Sequence, residues 1–257
     1  MRILVAAIVS LLSSGAAHAA IVASSLPYQG TPDWTDVVFG NTSMTTDGST
    51  TTLTTSPYAG VYFGNVPGQN APAWSIGNSM DGNLLTLAAR FGPGTADFSA
   101  YFSDDTSFAS IRFGPTDCVP GNCYGETPLP GLSLTFAAPG DPQSGENYFV
   151  PLDLTQDNLF EIAMRDGLVS YRINGTVYSG AAQSSSSRLL VIGDGSGSTR
   201  TGEGSMTISE ISFDNEFAGV LTGPDGFAPT DIPGPAAPGL LGIGVFLLAW
   251  RRRPAAR

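Results

Sequence analysis

The stretch Leu159-Phe-Glu-Ile-Ala-Met-Arg-Asp-Gly-Leu-Val-Ser-Tyr-Arg-Ile-Asn-Gly-Thr-Val-Tyr-Ser-Gly180 decides the fold. Phe160, Ile162 and Met164 alternate with their neighbours, Asp166-Gly167 interrupts, Val169, Tyr171 and Ile173 alternate in turn, and Asn174-Gly175 interrupts again. A period of two belongs to a strand with one face in a core. Asp-Gly and Asn-Gly are the dipeptides that accept the left-handed backbone of two-residue hairpin turns. Together they predict a meander of strands at Leu159–Met164, Val169–Ile173 and Thr176–Ser179. Intrinsic propensity alone offers a helix over Asp157–Arg165, where Leu, Glu, Ala and Met favour one. Alternation and turn signals agree with each other, which ranks the strand first.

The same punctuation continues in both directions. Short apolar or alternating runs separated by Gly, Pro, Asn and Asp predict strands at Thr35–Phe39, Thr50–Thr55, Gly60–Phe63, Ala73–Ile76, Leu84–Phe91 and Ser110–Phe113. Others are predicted at Leu132–Ala137, Tyr148–Leu152, Leu189–Ile192 and Ser205–Phe213. With 257 residues, 32 Gly and 19 Pro, the chain reads as all-β, one sandwich rather than two domains.

The meander, the glycine-rich stretch Gly193 to Gly204 and the run Met206–Phe213 resemble the concanavalin A-like lectin/glucanase jelly roll, including laminin-G-like domains. In that family an Asp-Gly, strand, Asn-Gly, strand hairpin precedes a loop carrying the phrase written here Val191-Ile-Gly-Asp-Gly195. The resemblance implies a single jelly-roll β-sandwich over residues 20–222 and carbohydrate as the expected ligand class.

All 22 acidic residues lie between Asp33 and Asp231, a span holding six arginines, so this body carries a net charge of −16. Such a surface repels phosphate backbones, which excludes nucleic acid as a partner. Solubility outside the cell is a sufficient reason for the charge. Cys118 and Cys123 bracket a Val-Pro-Gly-Asn turn and are expected to pair as a local disulfide in an oxidising compartment. The one histidine, His18, falls in the predicted export signal, so zinc chemistry and His-dependent catalysis are excluded from the mature body.

That signal occupies residues 1–19: Met1-Arg2, the apolar run Ile3 to Leu12, then Ala17-His18-Ala19 with cleavage expected after Ala19. At the other end, Gly223 to Ile232 reads as an extended spacer. Residues 233–257 read as a membrane tail: a proline-rich breaker, the apolar stretch Gly239 to Trp250, and Arg251, Arg252 and Arg253 as a stop facing the cytoplasm. Counted from Ala236, a helix here reaches only about 22 Å against a hydrocarbon core of roughly 30 Å. The tail resembles the sorting signals of the PEP-CTERM family, with Pro233-Gly234-Pro235 where the family has Pro-Glu-Pro. The resemblance implies an exosortase-like enzyme as a partner and attachment at the cell envelope; a plain C-terminal transmembrane anchor is the other reading.

Candidate chemistry in the body is sparse. Glycosidases of the sandwich class set two carboxylates on one strand, usually as Glu-x-Asp-x-x-Glu. Glu210, Asp214 and Glu216 share a parity but not that order, and Glu161 has no second carboxylate two or four residues on. Glu210 and Asp214 are expected to form the solvated face of the last strand. Gly195-Ser-Gly-Ser has no histidine to serve as base, which excludes a triad hydrolase. No cofactor is called for, and calcium is the one candidate, with Asp153, Asp157 and Asn158, or Asp194, as oxygen ligands. Turn capping competes for all of these, and Asp104-Asp105 reads as a solvated turn.

Trp34, Tyr58, Tyr62, Trp74, Tyr101 and Tyr124 are the rings available for stacking on sugar, with Tyr58 and Tyr124 expected to be exposed. Asn41-Thr-Ser and Asn174-Gly-Thr match glycosylation sequons, the second better explained as a hairpin turn. The chain is therefore expected to be an exported, envelope-anchored, non-catalytic binding or structural component of the cell surface or extracellular matrix. A polysaccharide-active enzyme and a ligand-free structural protein are the alternatives.

Overall fold

A computed structural model describes residues 21–28, 32–66, 72, 74–94, 98–114, 131–194, 203–217, 221 and 230–231. The export signal with Ala17 and Ala19, the Cys118–Cys123 loop, and the tail with Pro233, Gly234, Pro235, Arg251, Arg252 and Arg253 lie outside the described residues.

No helix occurs among the described residues, and the strands are numbered along the chain. The first half holds β1 (Ile21–Ala23), β2 (Thr35–Phe39), β3 (Ser43–Thr46), β4 (Thr51–Thr55), β5 (Gly60–Asn65), β6 (Asn83–Phe91), β7 (Phe98–Asp104) and β8 (Ser107–Phe113). The second holds β9 (Gly131–Ala138), β10 (Asp141–Pro151), β11 (Asn158–Arg165), β12 (Leu168–Ile173), β13 (Thr176–Ala181), β14 (Gln183–Ser184), β15 (Arg188–Asp194), β16 (Gly204–Asp214) and β17 (Thr230–Asp231). They form two sheets. The first runs β17-β13-β12-β11-β6-β16-β4-β3, with β1 beside the end of β16. The second runs β10-β9-β8-β7-β15-β5-β2, with β14 beside β8. Apart from the parallel β13–β17 pairing, neighbouring strands are antiparallel, and the whole is a jelly-roll-like β-sandwich.

The deciding stretch folds as its alternation predicts. Asp166 and Gly167 sit at φ 52° and 74°, and Asn174 and Gly175 at 47° and 91°, so both turns use two left-handed residues. Their twist matches the strands, which pair without a bulge from Phe160↔Ile173 to Arg165↔Leu168 and from Leu168↔Ala181 to Ile173↔Thr176. The core lies between the sheets. Phe160, Ile162, Leu87 and Phe213 enter from the first, and Phe63, Phe102, Ile111 and Phe113 from the second. Ring pairs such as Phe113–Phe160, 4.8 Å apart, and Phe102–Phe213, 5.6 Å apart, lock the layers edge to face.

Two local features shape the outer surfaces of the sandwich. β8 pairs with β9 only at Ile111, Arg112 and Phe113; at Phe108 and Ser107 its partner is β14, which takes β9's place there. On the outer face of the first sheet, Leu221 and Phe217 pack on Ala163, Val177 and Leu84, and the Phe217 N–H donates to the Gly82 carbonyl. Leu221 and Phe217 thus cover part of this face, and β17 lies beside Tyr178 and Ser179 of β13. Of the expected spacer only these two strand residues, Thr230 and Asp231, are described.

The expected strand at Ala73–Ile76 is absent at Trp74, Ser75 and Ile76. Side chains satisfy this backbone instead: Asn65 Nδ2 donates to the Trp74 carbonyl and Asn215 Nδ2 to that of Ser75. β7 was not among the expected strands, although Phe98, Ala100 and Phe102 alternate into the core.

Candidate functional site

The strongest candidate is the outer face of the second sheet. Because Val61, Phe63, Phe102, Ile111 and Ile192 fill the core, the alternate residues of the same strands point away from it. One cross-strand row is Val37, Tyr62, Gly193, Ser99 and Arg112; the next is Thr35, Gly64, Val191, Tyr101 and Ser110. Phe108 follows two positions from Ser110 on β8, and its ring lies 5.8 Å from that of Tyr101. Tyr62, Tyr101 and Phe108 are all half-buried.

Two glycines lie on this face. A Cβ on Gly193 would stand 2.3 Å from the Val61 carbonyl oxygen, and one on Gly64 would stand 1.9 Å from that of Leu190. No side chain fits at either place, so the surface is bare backbone at Gly193, beside Tyr62, and at Gly64, beside Val191. Burial, and secondly the neighbouring Tyr62 phenol, push the Tyr101 phenol above its ordinary value. It stays neutral at physiological pH, able both to donate and to accept. Beside the rings runs a polar row in which the Ser110 and Thr135 hydroxyls lie 3.0 Å apart and Thr135 Oγ1 donates to Asn147 Oδ1 at 3.0 Å. Stackable rings next to fixed hydroxyl and amide groups form a surface that suits a polyhydroxylated ligand with apolar ring faces.

The edge of this face carries further aromatics. Phe39, opposite Gly60 on β5, lays its ring over that glycine, where a Cβ would fall 2.6 Å from Phe39 Cζ. Tyr58, in the turn just before β5, is 68% exposed. Among the other rings singled out from sequence, Trp34 is core, wedged between Phe63 and Trp74 with its Nε1 donating to the Ser25 carbonyl. Trp74 packs on Phe213 and donates to the Asp33 carbonyl. Tyr124 lies outside the described residues. Phe39 and Phe108 were not anticipated.

The calcium candidates are not gathered in one place. Asp153 Oδ1 caps its own turn, accepting from the Thr155 N–H at 3.0 Å and from Thr155 Oγ1 at 2.7 Å, and these bonds hold its carboxyl below the usual range. Asp157 is exposed and 3.8 Å from Arg90. The buried Asn158 spends Nδ2 on the Asp153 and Gln156 carbonyls. Asp194 is in the other sheet, fully buried at the end of β15, where Oδ2 accepts from Thr55 Oγ1 of the first sheet at 2.8 Å. No group of three or more His, Cys, Asp or Glu able to hold a metal occurs among the described residues.

Glu210 and Asp214 do share one face, the outer side of the first sheet, opposite Ala88 and Leu84 of β6. Four residues apart along a strand, their Cα atoms are about 13 Å from one another. Asp214 is buried, with Oδ1 accepting from the Glu216 N–H at 2.9 Å. Glu161 is buried in an ion pair with Arg172, its cross-strand neighbour. Asp104 is not solvated. Its Oδ1 folds back onto the Thr106 and Ser107 N–H groups, and its buried Oδ2 has no hydrogen-bond partner among the described residues.

No protein family matches the sequence, and no curated protein sequence does. Solved structures do resemble the fold. The Ca2+-bound exoplasmic/lumenal domain of VIP36 aligns at TM-score 0.48 and 12% identity, over 77% of this chain and 92% of that one. The transglycosylase Crh5, in complex with NAG, aligns at 0.48 and 13% identity, over 77% and 86%. A galectin of Caenorhabditis elegans aligns at 0.37 and 13% identity, over 59% and 94%.

Proposed function

We propose that the chain is an exported, envelope-anchored and non-catalytic glycan-binding module, which engages polysaccharide of the cell surface or matrix through the outer face of the second sheet. The observation that carries this reading is the outward set of rings Tyr62, Tyr101 and Phe108, beside bare backbone at Gly193 and bordered by the Ser110–Thr135–Asn147 row. Aromatic rings left on the solvent side of a sheet stack on the apolar faces of sugar rings, while hydroxyls and amides beside them fix orientation. The export signal and the PEP-CTERM-like tail supply the expectation of envelope attachment, with an exosortase-like enzyme and the membrane as partners.

The test is retention of the detergent-solubilised full chain on an array of immobilised polysaccharides, with calcium and again with a chelator. Binding lost in Tyr101→Ala by tenfold or more, about 1.4 kcal/mol, supports the face. Loss in chelator would add calcium to the reading, and hydrolysis of any bound polymer would favour the enzyme. Silence across the array in both conditions would leave a structural surface protein. Envelope attachment is checked by cell fractionation, in which replacing Arg251, Arg252 and Arg253 by serine should release the chain or misplace it.

A further inference from the structure

We infer that Tyr58 is an outer subsite of the same face that stacks on a pyranose ring of an uncharged polysaccharide; this rests on the glycan-binding reading above. Ser56, Pro57, Tyr58 and Ala59 join β4 to β5 in a turn closed by the Ala59 N–H on the Ser56 carbonyl at 3.2 Å. Tyr58 takes φ 63°. For a bulky residue this left-handed backbone is a steric outlier that glycine or asparagine would adopt at lower cost. The ring recovers little of that cost through packing, because it is 68% exposed.

The turn is held in place by its neighbour. Gly40, at φ 75°, is so close that a Cβ there would stand 2.6 Å from the Ala59 Cβ. Ser56 Oγ donates to the Asn41 carbonyl at 2.9 Å and Thr42 Oγ1 to the Gly60 carbonyl at 3.2 Å. Strain that surrounding structure over-determines, with an aromatic side chain presented outward, is the arrangement of a contact residue.

Position joins this tip to the candidate face. Tyr58 stands in the turn two residues before Gly60, where β5 begins beneath the Phe39 ring, and four residues before Tyr62. Charge sets the ligand class. Residues 39–42 and 56–60 hold no charged side chain, and the −16 body repels anionic polymers.

The test compares wild type with Tyr58→Gly, Tyr58→Phe and Tyr101→Ala in the full chain. Thermal midpoints are read beside retardation in gels containing mixed-linkage β-glucan, galactomannan or the anionic polymer alginate. The expected result is that Tyr58→Gly raises the midpoint by about 2 to 6 °C as strain is relieved, yet weakens retardation by a neutral glycan at least tenfold. Tyr58→Phe should retain both properties of wild type, and alginate should retard none. Wild-type retardation by a neutral glycan that Tyr58→Gly keeps and Tyr101→Ala loses would overturn the subsite alone. A lowered midpoint in Tyr58→Gly would make the ring structural, and retardation by alginate would overturn the ligand class. If none of the three polymers retards wild type, the glycan-binding reading falls and takes the subsite with it.

Discussion

The hydroxyl of Tyr171 donates to the carbonyl of Thr135 at 2.6 Å while accepting from the Ser110 N–H at 3.1 Å. Tyr171 belongs to β12 of the first sheet, and Thr135 and Ser110 to β9 and β8 of the second, so one side chain crosses the core to join two strands where they stop pairing. Its fully buried phenol stands in for a missing rung of the ladder.

Tyr171→Phe keeps the ring and leaves the Ser110 N–H without this partner, which should destabilise the fold by about 1–3 kcal/mol in urea denaturation. The effect has a pH signature as well. Burial pushes the Tyr171 phenol well above its ordinary 10.0. An unfolded phenol ionises near pH 10 while the folded one does not, so this contribution is complete below that pH and is lost as pH rises beyond it. Wild type should therefore lose more of its thermal midpoint between pH 9 and 11 than Tyr171→Phe. Equal slopes in the two proteins would refute the role given to burial.

Acid should act at the β3–β4 turn. Asp47 accepts from the Ser49 and Thr50 N–H groups at 2.8 and 2.7 Å, and these backbone bonds, with the Ser49 hydroxyl adding to them, bring its carboxyl from 3.8 down to about 2. A lowered folded value means stability that is present above the unfolded value and lost as pH falls through the folded one. An NMR titration of the Asp47 carboxyl should give a midpoint near the lower number, and Asp47→Asn should flatten the fall in thermal midpoint between pH 4.5 and 2.

Gly193 sits at φ 133°, with the Val61 carbonyl and the Tyr62 Cα within 2.7 Å of where a Cβ would lie. Gly193→Ala therefore combines a left-handed backbone with overpacking against β5, and should cost about 2–4 kcal/mol in chemical denaturation. Since that position lies beside Tyr62 on the proposed binding face, the substituted protein should also show weaker glycan retention at temperatures where it remains folded.

The Glu161–Arg172 pair predicts an asymmetry between conservative and drastic changes. Glu161 is 8% exposed and Arg172 31%, so water tempers the loss when one partner is removed. Glu161→Gln should cost about 1–2 kcal/mol, below the 3–5 kcal/mol of a fully buried pair, and Glu161→Ala more, because it also empties buried space. Urea denaturation of the two variants orders them.

Much of the architecture could be read ahead because both hairpin signals lie within one meander and its core residues keep strict phase. The outward rings were harder to see. In β8 the apolar phase is Ala109, Ile111 and Phe113, which leaves Phe108 on the polar phase with Ser110 and Arg112; in β7 Tyr101 keeps company with Ser99 and Ser103 in the same way. An aromatic out of phase with its strand's core residues is the available signal, and a count of rings alone does not separate these from Trp34 and Trp74, which are pillars of the core. Asp104 misled for a related reason. It looks solvated by residue type, but the Thr106–Ser107 backbone that satisfies it is defined only by hairpin geometry.

The first sheet is partly closed off by its own chain. Leu221 and Phe217 sit on Ala163, Val177 and Leu84 of its outer side, and β17 pairs with Tyr178 and Ser179 of β13. Apolar side chains and strand-edge backbone that would otherwise be open to another molecule are occupied from within at these places, which guards this margin against strand-to-strand association.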